Sequence, residues 1–298
     1  MTAVAAQEGR GLGGGWLGRV GDDGPDAARE KLRIFRSLLL ALIAVEAWER
    51  ALRVSGAPPS FGIAVLASVA ACAVLSPRFA VPATALTALA VAGDFVLQFP
   101  ANPNHQYFQC VLLAFLLLLR EDVDPEVTQL TRTLRWLVVV GLFWAGMQKL
   151  LYGHYFDGEF LAYTVTQNDR FAAVLQHAMP ASEFARLRGM PIQEGAGPFR
   201  VESGLFAVVS NLAYLAELAL PLLLLLPATR RLAVFGTLAY FVAIEAAARE
   251  VFFGGIMAAL VLCFGPPSWL RVFRPLAYAA LAVVLATSFG LLPGWFFS

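Results

Sequence analysis

A lysine near the end of an apolar segment is the residue in this sequence best suited to acid–base chemistry. Lys149 lies in the stretch GLFWAGMQKLLYGHYFDGEFLAY, residues 141–163. A lysine in a membrane-spanning helix either extends its amine to the interface or lies in a protein-lined cavity, where the loss of hydration makes the amine a better base. Two interpretations of Lys149 are therefore open at this point, an interface anchor and a functional base.

Polar residues also occur at the ends of two earlier apolar segments. Asp94 lies about one turn before the end of one segment, Asn104 and His105 open the next, and Gln109 follows one turn later on the same face. Asn104 could simply cap a helix, and His105 could be an interface residue. If these segments meet that of Lys149, we expect His105 to be the nearest chemical partner of the lysine.

A later apolar segment carries a polar stripe. Ser210, Tyr214 and Glu217 follow the spacing i, i+4, i+7, which places them on one face of a helix that is otherwise leucine and alanine. Such a stripe faces protein, so we expect Glu217 to meet another helix or a substrate. In the next segment Glu245 and Arg249 have the order and spacing of a helical ion pair, which we interpret as structural.

The composition is that of an integral membrane protein. Hydrophobic residues make up 59% of the 298 residues and charged residues only 14%, well below the about 25% of an average soluble domain. The formal net charge of +1 gives no reason to expect a nucleic-acid partner. The three cysteines are isolated, and no spacing typical of paired ligands occurs, so the sequence predicts no metal site.

Long apolar segments recur along the chain and predict an all-α, polytopic helical bundle with about eight or nine transmembrane helices. Residues 1–30 predict a flexible cytoplasmic tail, and residues 31–298 the membrane domain, in which 153–203 is one long extracytoplasmic loop. The nine segments lie approximately at 33–54, 61–76, 79–98, 105–120, 132–152, 204–226, 231–249, 251–265 and 273–292.

The positive charges predict the orientation of these segments. With the N-terminus inside, fourteen lysine and arginine residues lie at inner ends, and only Arg50, Arg53 and Arg249 lie in short outer loops. Short cytoplasmic loops retain lysine and arginine, so we predict a cytoplasmic N-terminus and an outer C-terminus, in the plasma membrane if the protein is bacterial. Lys149 and His105 then lie on the outer side, below the loop.

Several of these residues resemble a known family. The segment AGMQKL around Lys149, followed by YFDG, and the segment NHQY at 104–107 resemble the membrane domain of vitamin K-dependent γ-glutamyl carboxylase. The sixth segment is similar to the wider horizontally transferred transmembrane domain (HTTM) family, and the resemblance covers about residues 30–292. This sequence departs from the family at Gln148, where the animal carboxylase has a second lysine, and at Tyr240, where many HTTM members have histidine.

The resemblance implies a quinol-dependent and metal-independent enzyme. Lys149 would be the base that deprotonates a reduced quinone of the vitamin K or menaquinone type, with Asn104 and His105 supporting the reacting centre. Oxygen and carbon dioxide would be co-substrates, and a glutamate in a peptide or protein at the outer face would be the acceptor. The side chains expected to contact the quinone, besides that of Asn104, are Trp144, Gln148, Tyr152 and Glu217.

A non-catalytic alternative also remains open. An HTTM module could keep the fold and use its polar residues to bind a membrane lipid, a quinone or a partner protein. The aromatic residues around Lys149, among them Trp144, Tyr152 and Tyr155, could hold a planar ring or could be simple interface anchors. The two functions differ in whether Lys149, His105 and Glu217 converge on one enclosed site.

Overall fold

The computed structural model describes residues 24–52, 58–99, 104–118, 123–190, 199–248 and 251–291. The described residues form twelve α-helices and no strand, which confirms the predicted all-α class. The helices are α1 Pro25–Arg50, α2 Pro58–Ala73, α3 Ala80–Gln98, α4 Asn104–Leu118, α5 Asp124–Tyr152, α6 Glu159–Gln167, α7 Asp169–Leu175, α8 Ala181–Arg188, α9 Gly204–Leu225, α10 Arg230–Ala248, α11 Val251–Leu262 and α12 Pro267–Ser288.

Four helical segments are long and apolar enough to cross a membrane. They are Pro77–Gln98, which joins a short 3-10 turn to α3, Asp124–Tyr152, Gly204–Leu225 and Pro267–Ser288. Three further apolar helices, α2, α4 and α11, are shorter. These lengths and compositions are those of a helical membrane protein, whereas the count of nine spans stays a prediction.

The first helix, α1, lies at the centre of the bundle. It packs against α2, α3, α5, α11 and α12, and the side chains of Leu32 and Phe35 are completely buried. Pro25 at its start is favoured there because the first helical residue needs no N–H donor. The predicted tail 1–30 is therefore wrong in its last part, which is helical, and residues 1–23 lie outside the described part of the chain.

The predicted loop 153–203 is helical over much of its described part. Helices α6, α7 and α8 build a second apolar core with the start of α9, centred on Leu161 and Phe206. Gly158 has a φ of 79°, and a Cβ there would come within 2.9 Å of the Phe206 ring. We call residues 153–188, which pack on the start of α9, the helical cap. The location of this segment outside the membrane stays a prediction.

Candidate functional site

Lys149 forms an ion pair with Glu217. Lys149 lies in the last turn of α5 and Glu217 within α9, and the lysine Nζ is 2.5 Å from Oε1 of the carboxylate. The glutamate side chain is only 6% exposed, and that of the lysine 23%. The polar stripe of α9 thus faces protein, as predicted, and the Lys149 amine binds a carboxylate within the bundle.

The close approach of α5 and α9 depends on Gly146. This glycine lies one helical turn before Lys149, and a Cβ added to it would come within 2.9 Å of both Glu217 Cβ and Leu218 Cγ. Small residues let helices in membranes approach one another in this way. Gly146 belongs to the AGMQKL segment, but the sequence alone gave no reason to assign it a role.

Two tyrosines complete the surroundings of the ion pair. The hydroxyl of Tyr240 on α10 donates to Oε1 of Glu217 at 2.6 Å, and Lys149 Nζ lies 5.0 Å from the centre of the Tyr155 ring. Burial and the nearby charge of Glu217 raise the pKa of Tyr155, so its hydroxyl stays protonated. Ser210 fixes this tyrosine by donating to its backbone carbonyl at 2.6 Å. We call Lys149, Tyr155, Glu217 and Tyr240 the Glu217 cluster.

One oxygen of the Glu217 cluster has no hydrogen-bond partner in the described part of the chain. Oε2 of Glu217 is buried and accepts no hydrogen bond from any described residue, whereas Oε1 accepts from Lys149 and Tyr240. Leaving a buried acceptor unpaired costs about 1–3 kcal/mol, and more when the group is charged. The arrangement therefore suits a ligand that brings a hydroxyl or N–H donor. Because Lys149 and Tyr240 already donate to Oε1, Oε2 is the oxygen of Glu217 that is left to accept from such a ligand.

Three predicted quinone contacts lie on another face of α5. Trp144, Gln148 and Tyr152 are four residues apart and form one exposed row, with Trp144 57% and Tyr152 74% exposed. Lys149 lies on the adjoining face, which packs against α9. The structure does not bring this row to the Glu217 cluster, and a quinone-binding role for its members stays a prediction.

His105 binds Glu46 and not Lys149. Its Nε2 lies 2.7 Å from Oε1 of Glu46 on α1, and Gln109 donates to the other oxygen of the same carboxylate at 2.5 Å. The prediction that His105 is the nearest chemical partner of Lys149 is therefore wrong, since the ionic partner of the lysine is Glu217. Packing of α4 against α3, and of α3 against α1, accounts for the difference.

This second polar group continues through Arg50. The Arg50 guanidinium contacts both Glu46 and Asp94, and Gln106 donates to Asp94 at 2.7 Å. Arg50, predicted to lie in an outer loop, is the last residue of α1 and is buried. A cavity of about 10 Å³ beside it has room for about one water molecule. We call the group the Glu46 network: Glu46, Arg50, Asp94, His105, Gln106 and Gln109.

Some predicted residues cannot be placed in full. Helix α4 begins at Asn104, but the side chain of Asn104 lies outside the described part of the chain, as does the whole of Arg249. The ion pair of Arg249 with Glu245 therefore stays a prediction, and Glu245 itself lines an apolar groove beside α11. Within the described ranges, no three His, Cys, Asp or Glu side chains are grouped as metal ligands would be.

No protein-family model, curated protein or solved structure matches this chain.

The Glu217 cluster and the Glu46 network differ in whether they can accept a hydrogen bond from a ligand. Within the Glu46 network, both oxygens of Glu46 and both oxygens of Asp94 accept hydrogen bonds. Of these two groups, the Glu217 cluster is the one that combines an adjacent amine and an aromatic ring with a buried acceptor that has no partner among the described residues, so it is the stronger candidate for binding and proton transfer.

Proposed function

We propose that this chain is a membrane enzyme that activates a reduced quinone at the Glu217 cluster, in the manner of a vitamin K-dependent γ-carboxylase. The observation in its favour is the buried Oε2 of Glu217, which has no hydrogen-bond partner among the residues that the structure describes and lies on the carboxylate that binds Lys149. A quinol hydroxyl is a donor that fits this acceptor.

Each residue of the cluster has its own role in this proposal. Oε2 of Glu217 accepts the hydroxyl proton, and the Lys149 ammonium stabilises the negative charge that develops on the ligand oxygen. Tyr240 holds the carboxylate by donating to Oε1. The resemblance implied Lys149 as the base, whereas the ion pair favours Glu217 as the base and Lys149 as the electrostatic partner.

The remaining reactants follow from the resemblance. A bound quinol of the vitamin K or menaquinone type would supply the reducing equivalents, and oxygen and carbon dioxide would be co-substrates for carboxylation of a glutamate or another acceptor. With the N-terminus cytoplasmic and the C-terminus outside, Lys149 lies near the outer face. A peptide or protein acceptor would therefore approach from the side of the helical cap.

A non-catalytic HTTM module that binds a lipid, a quinone or a partner protein is the second candidate. Two observations favour it. His105 lies in a different polar group from Lys149, and the ion pair can hold α5 against α9 without any ligand. In this case Lys149 and Glu217 would contribute to stability and ligand affinity but not to turnover.

Formation of quinone epoxide distinguishes the two candidates. Purified protein would be incubated with a reduced menaquinone or vitamin K analogue, oxygen and labelled bicarbonate. Loss of the base or its cationic partner in Glu217→Gln or Lys149→Ala should lower the rate about 100-fold or more. Val140→Leu, at an exposed position of α5 to which no role is assigned, is the control and should retain the wild-type rate. Wild-type epoxide formation no faster than that of Lys149→Ala, across several quinols, would favour the binding module.

A further inference from the structure

A large apolar groove separates α10 from α12. Its volume is about 1020 Å³, and the side chains of Phe235 and Val242 on one wall and Val272 and Leu276 on the other are all more than half exposed. Helix α12 is one of the four candidate spans, so the groove along it would open to lipid where α12 crosses the membrane. Its apolar lining is suited to hydrocarbon.

Small residues of α11 form the floor of the groove. Gly254, Gly255 and Ala258 line it, and a Cβ at Gly255 would come within 2.9 Å of Leu42 on α1. The floor helix therefore lies directly against the central helix of the bundle. This close packing gives the groove its depth, since larger residues on α11 would fill it.

The groove has the length of one leaflet. Phe235 and Glu245, which line it near opposite ends of α10, are ten residues apart, a distance of about 15 Å at about 1.5 Å per helical residue. This is half of the roughly 30 Å hydrocarbon thickness of a bilayer. At the end near Phe235, the ring of Trp269 lies 5.2 Å from that of Phe235, between centroids. A single acyl chain matches these dimensions.

Positive charge lies at this same end of the groove. Arg231 is one turn before Phe235 on the same face of α10. It is exposed and has no ion-pair partner within the described ranges. Basic residues between transmembrane helices attract anionic lipid head groups, while the carboxylate of Glu245 makes the opposite end unfavourable for them.

We propose that this groove binds an anionic phospholipid, with the phosphate at Arg231 and an acyl chain lying along α11. This site is independent of the proposed chemistry, because it needs neither Lys149 nor Glu217. It does share a helix with the Glu217 cluster, since Tyr240 contacts Glu217 and its neighbour Phe241 lines the groove.

Lipid binding to the purified, detergent-solubilised full chain tests this site. Native mass spectrometry would measure binding of phosphatidylglycerol and of phosphatidylcholine with identical acyl chains. Arg231→Gln should weaken phosphatidylglycerol binding about fivefold, the factor expected for one arginine near a lipid surface. Ala280→Phe, which fills the groove, should abolish binding of both lipids. The controls are Arg78→Gln, at an exposed arginine before α3, and Ala279→Phe, at the exposed neighbouring position outside the groove lining; both should bind as wild type does.

Three results would overturn this inference. Equal affinity for the two lipids in wild-type protein would exclude a site for an anionic head group. Equal loss of lipid in Ala279→Phe and Ala280→Phe would show that the groove is not where the lipid binds. A concentration-dependent dimer that Ala280→Phe disrupts would identify a second copy of the chain as the occupant.

Discussion

Gly146 and Glu217 lie in direct contact where α5 crosses α9. A Cβ at position 146 would come within 2.9 Å of the Glu217 Cβ, a separation that requires one of the two helices to shift. The same glutamate binds Lys149 one turn further along α5. The geometry of the ion pair therefore depends on position 146 being a glycine, which has no side chain.

Replacing Gly146 by alanine is expected to lower stability and quinol turnover together. Overpacking of a close contact costs about 1–3 kcal/mol, and a shift of α9 would move the carboxylate away from Lys149. The matched control is Gly141→Ala on the same helix, where a Cβ would meet no atom within 4 Å. This control should be neutral or should stabilise by up to about 1 kcal/mol. Thermal unfolding in detergent measures both variants, and identical Tm values would contradict the predicted role of Gly146.

The Glu46 network is expected to contribute to stability and not to turnover. Glu46→Ala would leave the buried guanidinium of Arg50 with one carboxylate instead of two, and breaking a buried pair in this way costs about 3–5 kcal/mol. His105→Gln keeps a donor near Glu46 and should lower Tm less. Epoxide formation per folded molecule should be unchanged in His105→Gln. A loss as large as that of Lys149→Ala would instead support the catalytic role that the resemblance gives to His105.

The spacing of polar residues along the sequence correctly predicted which face of a single helix is buried. The stripe of Ser210, Tyr214 and Glu217 is buried as expected, because a helix repeats every 3.6 residues and these positions share a face. Glu217 also meets another helix, as its lack of a partner within α9 predicted. The identity of that helix could not be predicted, because it depends on how α5 packs against α9 at Gly146.

Contacts between distant segments explain the missed residues. In the sequence, Tyr240 was noted only as a departure from a family pattern, and Glu46 was assigned no role. Each of these side chains forms its hydrogen bond with a residue on another helix, which the sequence does not identify. Lys31 and Arg135, two of the fourteen positive charges assigned to inner helix ends, are buried. Lys31 Nζ lies 3.1 Å and Arg135 Nε 2.8 Å from the carbonyl oxygen of Cys263. These two charged side chains therefore stabilise the packing of the helices, in addition to any effect on the orientation of the protein in the membrane.

The predicted orientation can be tested by cysteine labelling. In a background without Cys72, Cys110 and Cys263, Ser182→Cys in α8 should react with an impermeant thiol reagent added to intact cells. Gln129→Cys, near the start of α5, should react only after permeabilisation. Both positions are exposed, so reactivity reports the side of the membrane and not burial. The reverse pattern would place Lys149 near the cytoplasmic face and remove the outer approach for a peptide acceptor.

The ion pair of Lys149 and Glu217 is expected to show strong coupling in a double-mutant cycle. Lys149→Met alone leaves a buried carboxylate without its cation and should destabilise by about 3 kcal/mol or more. Lys149→Met combined with Glu217→Leu leaves neither charge and should recover most of that stability. Unfolding free energies of the wild type, the two single variants and the double variant give the coupling. Additive effects would show that the two side chains do not interact in the folded protein.

Chemical rescue of Lys149→Ala distinguishes a cation from a base at this position. Methylamine can act as either, whereas methylguanidine, like the arginine side chain, stays charged at neutral pH and cannot accept a proton. If Lys149 acts as a cation beside Glu217, both compounds should restore part of the epoxide formation. If Lys149 is itself the base, only methylamine should do so, and more effectively as the pH rises. Glu217→Gln keeps the Lys149 side chain and the side-chain volume at 217, so it leaves no space for either compound and should be rescued by neither. Rescue by methylamine alone would therefore return the base role to Lys149.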